Sequence, residues 1–336
     1  ISYSYTNRQG TSPEGEGNIT KDPWFVDSGS GDYRLLPGSV SINRGDPAEN
    51  DTDGTRRDMG RYIYEHTHFE SEWHVSSDGD VLNGDGSSGN PLSSILAGVN
   101  LANEGDEIIV SEGTYIGEGN HNIYFLGKGV TVSSSGEAEN TVIDCENING
   151  DRGFVFEAHG SYPAETEATV IEGLTIRAGV QYGDDSKGGG IYISNASPSF
   201  NNCIISDNRV FDDGGGWSRG YGGGVYAYNS SSIFTDVVFH NNEVWNWTNH
   251  SSDDAYSYGG GIYVQEGNVQ LIDCSLTANR VYTEDDDCNG NSYGYPRGAG
   301  IYKTGGGTLT VTDTEISGNI VDWQDCQHDP QGGGVY

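Results

Sequence analysis

One short phrase recurs five times in the C-terminal half of this chain of 336 residues, and it constrains the possible folds more than any other feature. The copies are GGGIY at 188–192, GGGVY at 222–226, GGGIY at 259–263, GAGIY at 298–302 and GGGVY at 332–336. An asparagine follows each of the first four copies after 20 or 21 residues: Asn208, Asn242, Asn279 and Asn319. All the variation in length falls between this asparagine and the next copy. The pattern predicts a stack of repeats that carries its insertions on one side.

The residues before each asparagine alternate in the way that is typical of short β-strands. Positions five and three residues before it fit one face of a half-buried strand, whereas the odd step from position eight to position five indicates a bend. A polar residue lies at this bend, six residues before the asparagine. Each unit is therefore predicted to form one coil of two or three short strands, with the coils paired in parallel about 4.8 Å apart. The aligned apolar or small positions are Phe200, Phe234, Leu271 and Val311; Cys203, Val237, Cys274 and Thr314; and Ile205, Phe239, Leu276 and Ile316.

Stacked coils would place like residues in columns along the outside and inside of the stack. In the recurring phrase the aliphatic residue, such as Ile191 or Val225, should point inward and the tyrosine that follows it outward. The asparagines should form a ladder in which each side chain bonds the coils above and below, satisfying turn backbone that would otherwise be left without partners. With 52 glycines and many β-branched residues, the composition favours strands and turns over helices.

These repeats resemble the right-handed parallel β-helix of the pectate-lyase-like superfamily. They are more similar to bacterial secreted and surface proteins with GGGIY…SxxxN repeats, including the polymorphic outer-membrane-protein type. The resemblance implies an all-β solenoid. Residues 169–176 (TVIEGLTI) fit an earlier unit, with Gly179 in the place of the asparagine.

Residues 73–115 resemble the N-terminal beginning of such a β-helix. They contain the one convincing helix, predicted from Pro91 to Asn103 with Asn90 as its cap. This helix should cover the open end of the stack, because an uncovered sheet edge invites pairing with other chains. The predicted body therefore runs from residue 73 to residue 336.

Residues 1–64 resemble the opposite end of such proteins, with GNITKDPWFVDSGSGDYRLLPGSVSINRGDP followed by DTDGTRRDMGRYIY. A terminal coil and C-terminal-type cap thus precede the N-terminal cap, and residues 65–72 are predicted to be a linker. Two interpretations stay open. The chain is a piece of a longer polypeptide with several β-helices, or it is the subunit of a polymer in which residues 1–64 complete the β-helix of the next copy.

The formal net charge of −34 is the second strong constraint. It would repel nucleic-acid phosphates and anionic membranes, and no run of about 18 apolar residues is present, so neither nucleic acid nor a membrane span is predicted. Acidic residues cluster in the insertions, as at Asp184–Asp185 and Asp253–Asp254, together with aromatic residues. These insertions are either solvated loops, or a calcium-dependent contact surface or aromatic platforms for carbohydrate. The aromatic residues are Tyr182, Phe211, Trp217, Trp245, Trp247, Tyr282 and Trp323.

Two acidic stretches are candidate calcium sites. DTDGTRRD places Asp51, Asp53 and Asp58 at a spacing similar to that of an EF-hand loop, although further ligands and a bidentate Glu would be needed. DGDVLNGDG contains the second set, Asp78, Asp80 and Asp85. The alternative for both is a turn in which Asp side chains bond their own backbone.

Cysteines and asparagines add further candidates. Cys145, Cys203 and Cys274 fit inward positions. Cys288 and Cys326 lie in neighbouring insertions and are predicted to form a disulfide, which an oxidising location outside the cell would allow. Six Asn-x-Ser/Thr sequons are candidate glycosylation sites, although chance alone explains most of them. They begin at Asn18, Asn50, Asn195, Asn229, Asn246 and Asn249.

The sequence favours a secreted, non-catalytic component of an extracellular filament or surface layer. The resemblance makes a polysaccharide lyase or hydrolase the enzyme alternative, and a sugar-binding adhesin is the third. The lyases require acids that bind calcium beside an Arg or Lys base, and the hydrolases a cluster of three aspartates with a nearby His. No such set recurs in the strand register here, and Arg209 and Arg280 take equivalent places after the ladder asparagines.

Thiol titration of the denatured, unreduced chain tests the disulfide. Because a bond between Cys288 and Cys326 consumes two of the five thiols, we expect three to react. Five reactive thiols would exclude the bond.

Overall fold

The computed structural model describes residues 4–7, 15–159, 162–212, 217–248, 254–285, 293–324 and 330–336. Over these residues the chain forms a parallel β-solenoid of about 6 turns. The all-β fold class predicted from the repeats is confirmed.

The described residues form 31 β-strands, one α-helix and one 3-10 helix. They are, in chain order, β1 (Phe25–Asp27), β2 (Asp32–Leu35), β3 (Glu72–Val75), α1 (Ile95–Leu101), β4 (Glu107–Val110), β5 (Gly113–Tyr115), β6 (Ile123–Tyr124), β7 (Thr131–Ser134), the 3-10 helix Ala138–Asn140, β8 (Thr141–Asp144), β9 (Phe154–Glu157), β10 (Val170–Glu172), β11 (Thr175–Arg177), β12 (Val180–Tyr182), β13 (Ser186–Lys187), β14 (Ile191–Ser194), β15 (Ser199–Asn201) and β16 (Ile204–Ser206). They continue with β17 (Arg209–Asp212), β18 (Ser218–Tyr221), β19 (Val225–Ser230), β20 (Ile233–Thr235), β21 (Val238–His240), β22 (Glu243–Thr248), β23 (Ala255–Tyr258), β24 (Ile262–Ile272), β25 (Ser275–Thr277), β26 (Arg280–Asp285), β27 (Gly294–Arg297), β28 (Ile301–Thr304), β29 (Thr308–Thr312), β30 (Glu315–Ser317) and β31 (Ile320–Gln324).

Three sheets enclose the solenoid core. Sheet A has the order β3-β4-β7-β10-β15-β20-β24-β29, sheet B the order β6-β9-β14-β19-β24-β28, and sheet C the order β5-β8-β11-β16-β21-β25-β30. The long strand β24 crosses a corner and takes part in both A and B. All the pairings between coils are parallel, because each strand meets its equivalent in the next coil.

The aligned repeat positions occupy the same columns in space, as the alternation predicts. Phe200, Phe234, Leu271 and Val311 are in register in sheet A, and Ile205, Phe239, Leu276 and Ile316 in sheet C. The rings of Phe200 and Phe234 stack with centroids 4.9 Å apart and planes 5° apart. Burial of these apolar columns supplies the main driving force for stacking the coils.

The polar residue at the predicted bend has a left-handed backbone in every coil. The φ angles of Asn202, Asp236, Asp273 and Asp313 are 48°, 55°, 53° and 47°. Asn and Asp tolerate this conformation better than other residues that carry a side chain. The sequence therefore turns from sheet A to sheet C with a residue type suited to the turn.

The glycine triplets lie where the backbones of successive coils come into close contact. The first glycine has a left-handed backbone, as at Gly222 with a φ of 70°. The second faces the next coil, where a Cβ on Gly223 would lie 2.6 Å from the carbonyl oxygen of Gly260. Because these contacts are to backbone, they disfavour a side chain at the second place, although the fourth copy accommodates the methyl group of Ala299 there.

The four ladder asparagines form one column at the corner after sheet C. The Nδ2 of Asn242 donates to the Oδ1 of Asn279 at 3.0 Å and to the carbonyl of Ile205 at 2.8 Å. Its own Oδ1 accepts from the Nδ2 of Asn208 at 3.0 Å and from the backbone N of Asn208 at 3.2 Å. Asn279 and Asn319 repeat this pattern, and the backbone N of Gly179 donates to the Oδ1 of Asn208 at 2.9 Å. Asn208, Asn242 and Asn279 have no exposed surface.

The described parts of the insertions are largely β-strands, whereas one of the two interpretations of the sequence expected solvated loops. Their described parts form two further parallel sheets, D (β12-β17-β22-β26-β31) and E (β13-β18-β23-β27), which pack on each other. Val210, Val244 and Val281 of sheet D form a small core of their own with Ala299. Small residues of sheet E face this core, since a Cβ on Gly220 would lie 2.7 Å from a methyl group of Val244. We refer to sheets D and E together as the arm.

The helix begins later than predicted. Pro91–Ser94 is extended, with the backbone N of Leu92 donating to His74, and Ser94 rather than Asn90 is the N-cap. The hydroxyl of Ser94 accepts from the backbone N of Ala97 at 3.3 Å, and helix α1 ends at Leu101. Leu92, just before the helix, hydrogen-bonds to the neighbouring strand β3. These bonds outweigh the preference of proline for the first turn of a helix.

Residues 15–64 pack against α1 and share the core of the solenoid. Leu35 and Ile42 belong to the same apolar cluster as the helix, and the Nδ2 of Asn100 donates to the carbonyl of Gly38 at 2.7 Å. Gly38 lies so close to Ala97 that a Cβ would be 2.2 Å from it. The predicted linker 65–72 also contacts residues 15–64, because the backbone N of His66 donates to the side chain of Asp53 at 3.0 Å. Residues 15–64 thus contribute to the apolar cluster of the solenoid, and the division at residues 65–72 stays a prediction.

Replacing Asn242 by Leu should lower the free energy of unfolding by about 1–3 kcal/mol, because it leaves buried backbone groups of two coils without partners. Urea unfolding followed by circular dichroism measures this. The control is Asn229→Asp at an exposed corner with a φ of 47°, where we expect a change within about 0.5 kcal/mol. Equal stabilities of the two variants would show that the ladder contributes nothing beyond packing.

Candidate functional site

A row of stacked tyrosines runs along the outside of sheet B. Tyr192, Tyr226, Tyr263, Tyr302 and Tyr336 have successive ring centroids 5.5, 5.3, 5.3 and 5.2 Å apart. These side chains point away from the solenoid core, yet Tyr226 and Tyr263 are only 5% exposed. Rings from sheet E cover them. The row therefore joins the arm to the solenoid instead of presenting a free surface.

Tyr221 and Tyr258 of sheet E make these covering contacts. Tyr221 meets Tyr263 edge to face at 5.0 Å, and Tyr258 stacks on Tyr302 at 4.6 Å. Burial raises the pKa of Tyr221 to about 12. The phenol groups at this junction accordingly stay neutral at physiological pH.

The outer face of sheet D combines charged and aromatic residues. Glu243 lies between Arg209 and Arg280, with a carboxylate oxygen 3.0 Å from one and 3.2 Å from the other. Arg280 also contacts Asp322 at 2.7 Å. These positions are substantially exposed, so each pair contributes little to stability. The arginines fit the structural role that the sequence gave them, as part of a column that continues from coil to coil.

Beside this charged column the aromatic side chains of sheet D stack. Tyr182, Phe211, Trp245 and Tyr282 have centroids 5.0, 5.9 and 6.4 Å apart. Trp217 of sheet E stacks instead on Tyr256 at 6.3 Å, on the other face of the arm. The aromatic residues that the sequence assigned to loops are therefore spread over two faces of a rigid arm.

The predicted calcium ligands Asp51, Asp53 and Asp58 lie in one loop, but their oxygens bond backbone amides of that region. Asp58 accepts from the backbone N of Asn43 and of Tyr64, both at 2.7 Å. Asp51 accepts from the backbone N of Asp58 at 2.8 Å. Burial raises the pKa of Asp58 to about 6. This arrangement matches the alternative of Asp side chains that organise a turn.

The second acidic set has the same character. Asp80 accepts from the backbone N of Leu82 at 2.8 Å and of Asn83 at 3.0 Å, while Asp85 accepts from Ser87 at 2.9 Å. The side chains of Asp78, Asp80 and Asp85 do not converge. Within the described ranges, no three His, Cys, Asp or Glu side chains are placed to hold a metal ion. Calcium binding stays a prediction.

The sequons differ in exposure. Asn50, Asn195 and Asn229 are exposed. Asn18 is 3% exposed and accepts from the backbone N of Thr6 at 2.9 Å. Asn246 has no exposed surface and donates to the carbonyl of Tyr256 at 2.6 Å, between sheets D and E. A glycan on Asn246 would separate the two sheets, so this candidate is withdrawn.

The other candidates divide between the core and the undescribed residues. Cys145, Cys203 and Cys274 are buried free thiols, as their inward positions predicted. Cys288, Cys326 and Asn249 lie outside the described residues, and their assignments stay predictions.

Buried charged groups mark the contact between residues 15–64 and the solenoid. The Nζ of Lys128 donates to the carbonyls of Val99, Asn100 and Ala102 at the end of α1, at 2.8, 2.6 and 2.6 Å. Burial lowers the pKa of Lys128. A cation at this end of a helix is favourable, since the last carbonyls carry partial negative charge.

Glu165 is the acid buried nearby. It is 3% exposed, and its Oε1 accepts from the backbone N of Gly127 at 3.0 Å, whereas its Oε2 has no hydrogen-bond partner among the described residues. Burial raises the pKa of Glu165 to about 7. This environment could not be predicted from the sequence, because Glu165 lies in a connection without a repeat pattern.

A groove of about 720 Å³ opens on the same side of the molecule, between residues 22–37 and 77–120. Trp24 forms one wall and donates its indole N–H to Glu118 at 2.7 Å. Asp22, Thr114 and Ile116 are among its lining residues. The two walls come from segments far apart in sequence, so sequence patterns could not reveal this groove.

No protein-family model matches this chain, and no curated protein matches it either. In the described part of the chain, no helix has the length and apolar character that crossing a membrane requires. The resemblance to pectate-lyase-like and polymorphic outer-membrane-protein repeats thus remains an expectation from sequence, while the parallel β-solenoid itself is shown.

Glu165 should make stability depend on pH. Its pKa in the folded chain lies above its ordinary value of 4.5, so its stabilising contribution is full below pH 4.5 and is lost as the pH rises through about 7. We expect Glu165→Gln to unfold with the same free energy as the wild type near pH 4, and to be more stable near pH 8 by up to about 3 kcal/mol. Denaturant unfolding across this range measures the difference.

The control is the exposed Glu167→Gln, which removes the same charge two residues away. Its stability should follow the wild type at every pH. Parallel curves for wild type and Glu165→Gln would show that Glu165 does not ionise in the folded chain at a raised pKa.

Proposed function

We propose that the chain is a non-catalytic structural component of an extracellular filament or surface layer, in which copies associate head to tail. The observation that supports the proposal is the way equivalent coils stack, since each coil covers the apolar columns of its neighbour and pairs with its strand edges. In the last described turn, Val311 is 40% exposed and Val335 is 48% exposed. The equivalent residues of earlier coils, such as Leu271 and Ile301, are fully buried.

Another coil laid on this turn would bury those residues and pair its strand edges. β29, β30 and β31 each pair on one side only, within the described residues. Exposed edges of this kind are the usual substrate for strand addition between chains. A contact that joins two different surfaces of identical subunits propagates into a filament.

The partner surface in this proposal is residues 1–64 of a second copy. In the described part of that segment, Tyr33, Tyr62 and Ile63 are 49%, 40% and 43% exposed on the solenoid's opposite end. Its inner side is already occupied by α1, which leaves its outer side to meet a neighbour. The net charge of −34 would oppose association at low ionic strength, and calcium would relieve this repulsion.

Substituting Val311→Lys should weaken assembly, because a charge on the exposed edge disfavours strand addition. We expect the concentration at which filaments form to rise at least about tenfold. Analytical ultracentrifugation and negative-stain electron microscopy would follow it. Ile148→Lys is the matched control, a 49% exposed apolar residue on the side of the solenoid. Monomeric wild type at high concentration, with and without calcium, would refute the proposal.

A further inference from the structure

We propose that the groove between residues 22–37 and 77–120 binds a neutral oligosaccharide. Its volume of about 720 Å³ falls in the range of about 300–1,000 Å³ that is usual for small-molecule sites. Such sites combine aromatic or apolar walls with a few oriented polar groups. The groove has this composition, with a tryptophan, exposed aliphatic side chains, two carboxylates and several hydroxyl groups.

Trp24 is the first argument. Its backbone lies in the left-handed region, with a φ of 44°. Such a conformation costs about 1–3 kcal/mol for a bulky residue and concentrates at binding sites. Two hydrogen bonds hold this conformation: the backbone N of Trp24 donates to the side chain of Asp22, and its carbonyl accepts from the backbone N of Leu36, both at 2.9 Å.

The indole ring is fixed as firmly as the backbone. Its N–H donates to Glu118, and a Cβ on Gly119 would lie 2.7 Å from the ring, so only glycine fits there. Gly119 also has a left-handed backbone, with a φ of 84°. The ring is thus pre-organised as one wall of the groove and loses little conformational freedom on binding.

The polar groups select the class of ligand. Asp22 and Glu118 offer carboxylate oxygens, which accept hydrogen bonds from hydroxyl groups, and Ser77, Ser93 and Thr114 can both donate and accept. A sugar presents many hydroxyl groups around an apolar ring face that can lie on an indole. An anionic sugar would meet two carboxylates on a chain of net charge −34, so a neutral one is favoured.

Titration calorimetry with cellohexaose, mannohexaose and N-acetylchitohexaose, and with hexagalacturonate as the anionic probe, tests the proposal. We expect at least one neutral probe to bind and hexagalacturonate not to bind. Trp24→Ala should weaken binding at least about tenfold. Trp217→Ala, at a tryptophan that is 51% exposed on the arm, is the matched control and should bind as the wild type does.

A second variant protects the test against a failure of Trp24→Ala to fold. Thr114 is exposed in β5 and lines the groove, so Thr114→Trp fills the groove without touching the contacts that hold Trp24. It should abolish binding and leave the thermal melt unchanged. Running the titration in the Val311→Lys background separates sugar binding from assembly. The proposal fails if no neutral probe binds, or if the sugar binds Thr114→Trp as it binds the wild type.

Discussion

The structure depends on hydrogen-bond partners for the buried backbone N–H and C=O groups at the corners where the chain turns out of each coil. At the corner after sheet C the buried backbone has no strand partner of its own, and an asparagine amide takes that place. Its two N–H groups and one oxygen reach the preceding and following coils at about 2.8–3.2 Å. A buried amide that lost one of these partners would destabilise both coils. The column therefore fixes the position in each unit from which an insertion can depart.

The recurring residues predicted the solenoid well, because stacking imposes the same environment on equivalent positions. Phe200, Phe234 and Leu271 need to fill one column, and Asp236 and Asp273 need to tolerate one left-handed turn. Such requirements appear in a single sequence as a repeat. The helix was predicted to begin four residues too early and to end two residues too late, since the strand partner of Leu92 lies outside any repeat.

The arm and the groove escaped prediction for two different reasons. The insertions vary in length, so their strands cannot be aligned, although Val210, Val244 and Val281 lie at the same distance from the ladder asparagines. The valine at a constant distance after each of these asparagines was the available signal for sheet D. The groove depends on a contact between Trp24 and Glu118, which are 94 residues apart in sequence. It also depends on the left-handed backbone of Trp24, which cannot be predicted from the residue type.

The tyrosine row has a consequence for how such a chain can change over time. Tyr221 and Tyr258 pack on the tyrosine row, and this contact anchors the arm to the solenoid near its base. Insertions or deletions between sheets D and E would alter the outer shape without disturbing the stacking of coils. Each duplicated unit would lengthen the solenoid by roughly 4.8 Å and carry a new surface with it. The number of repeat units thus sets the length of the solenoid, whereas the insertions can vary in sequence and length independently of it.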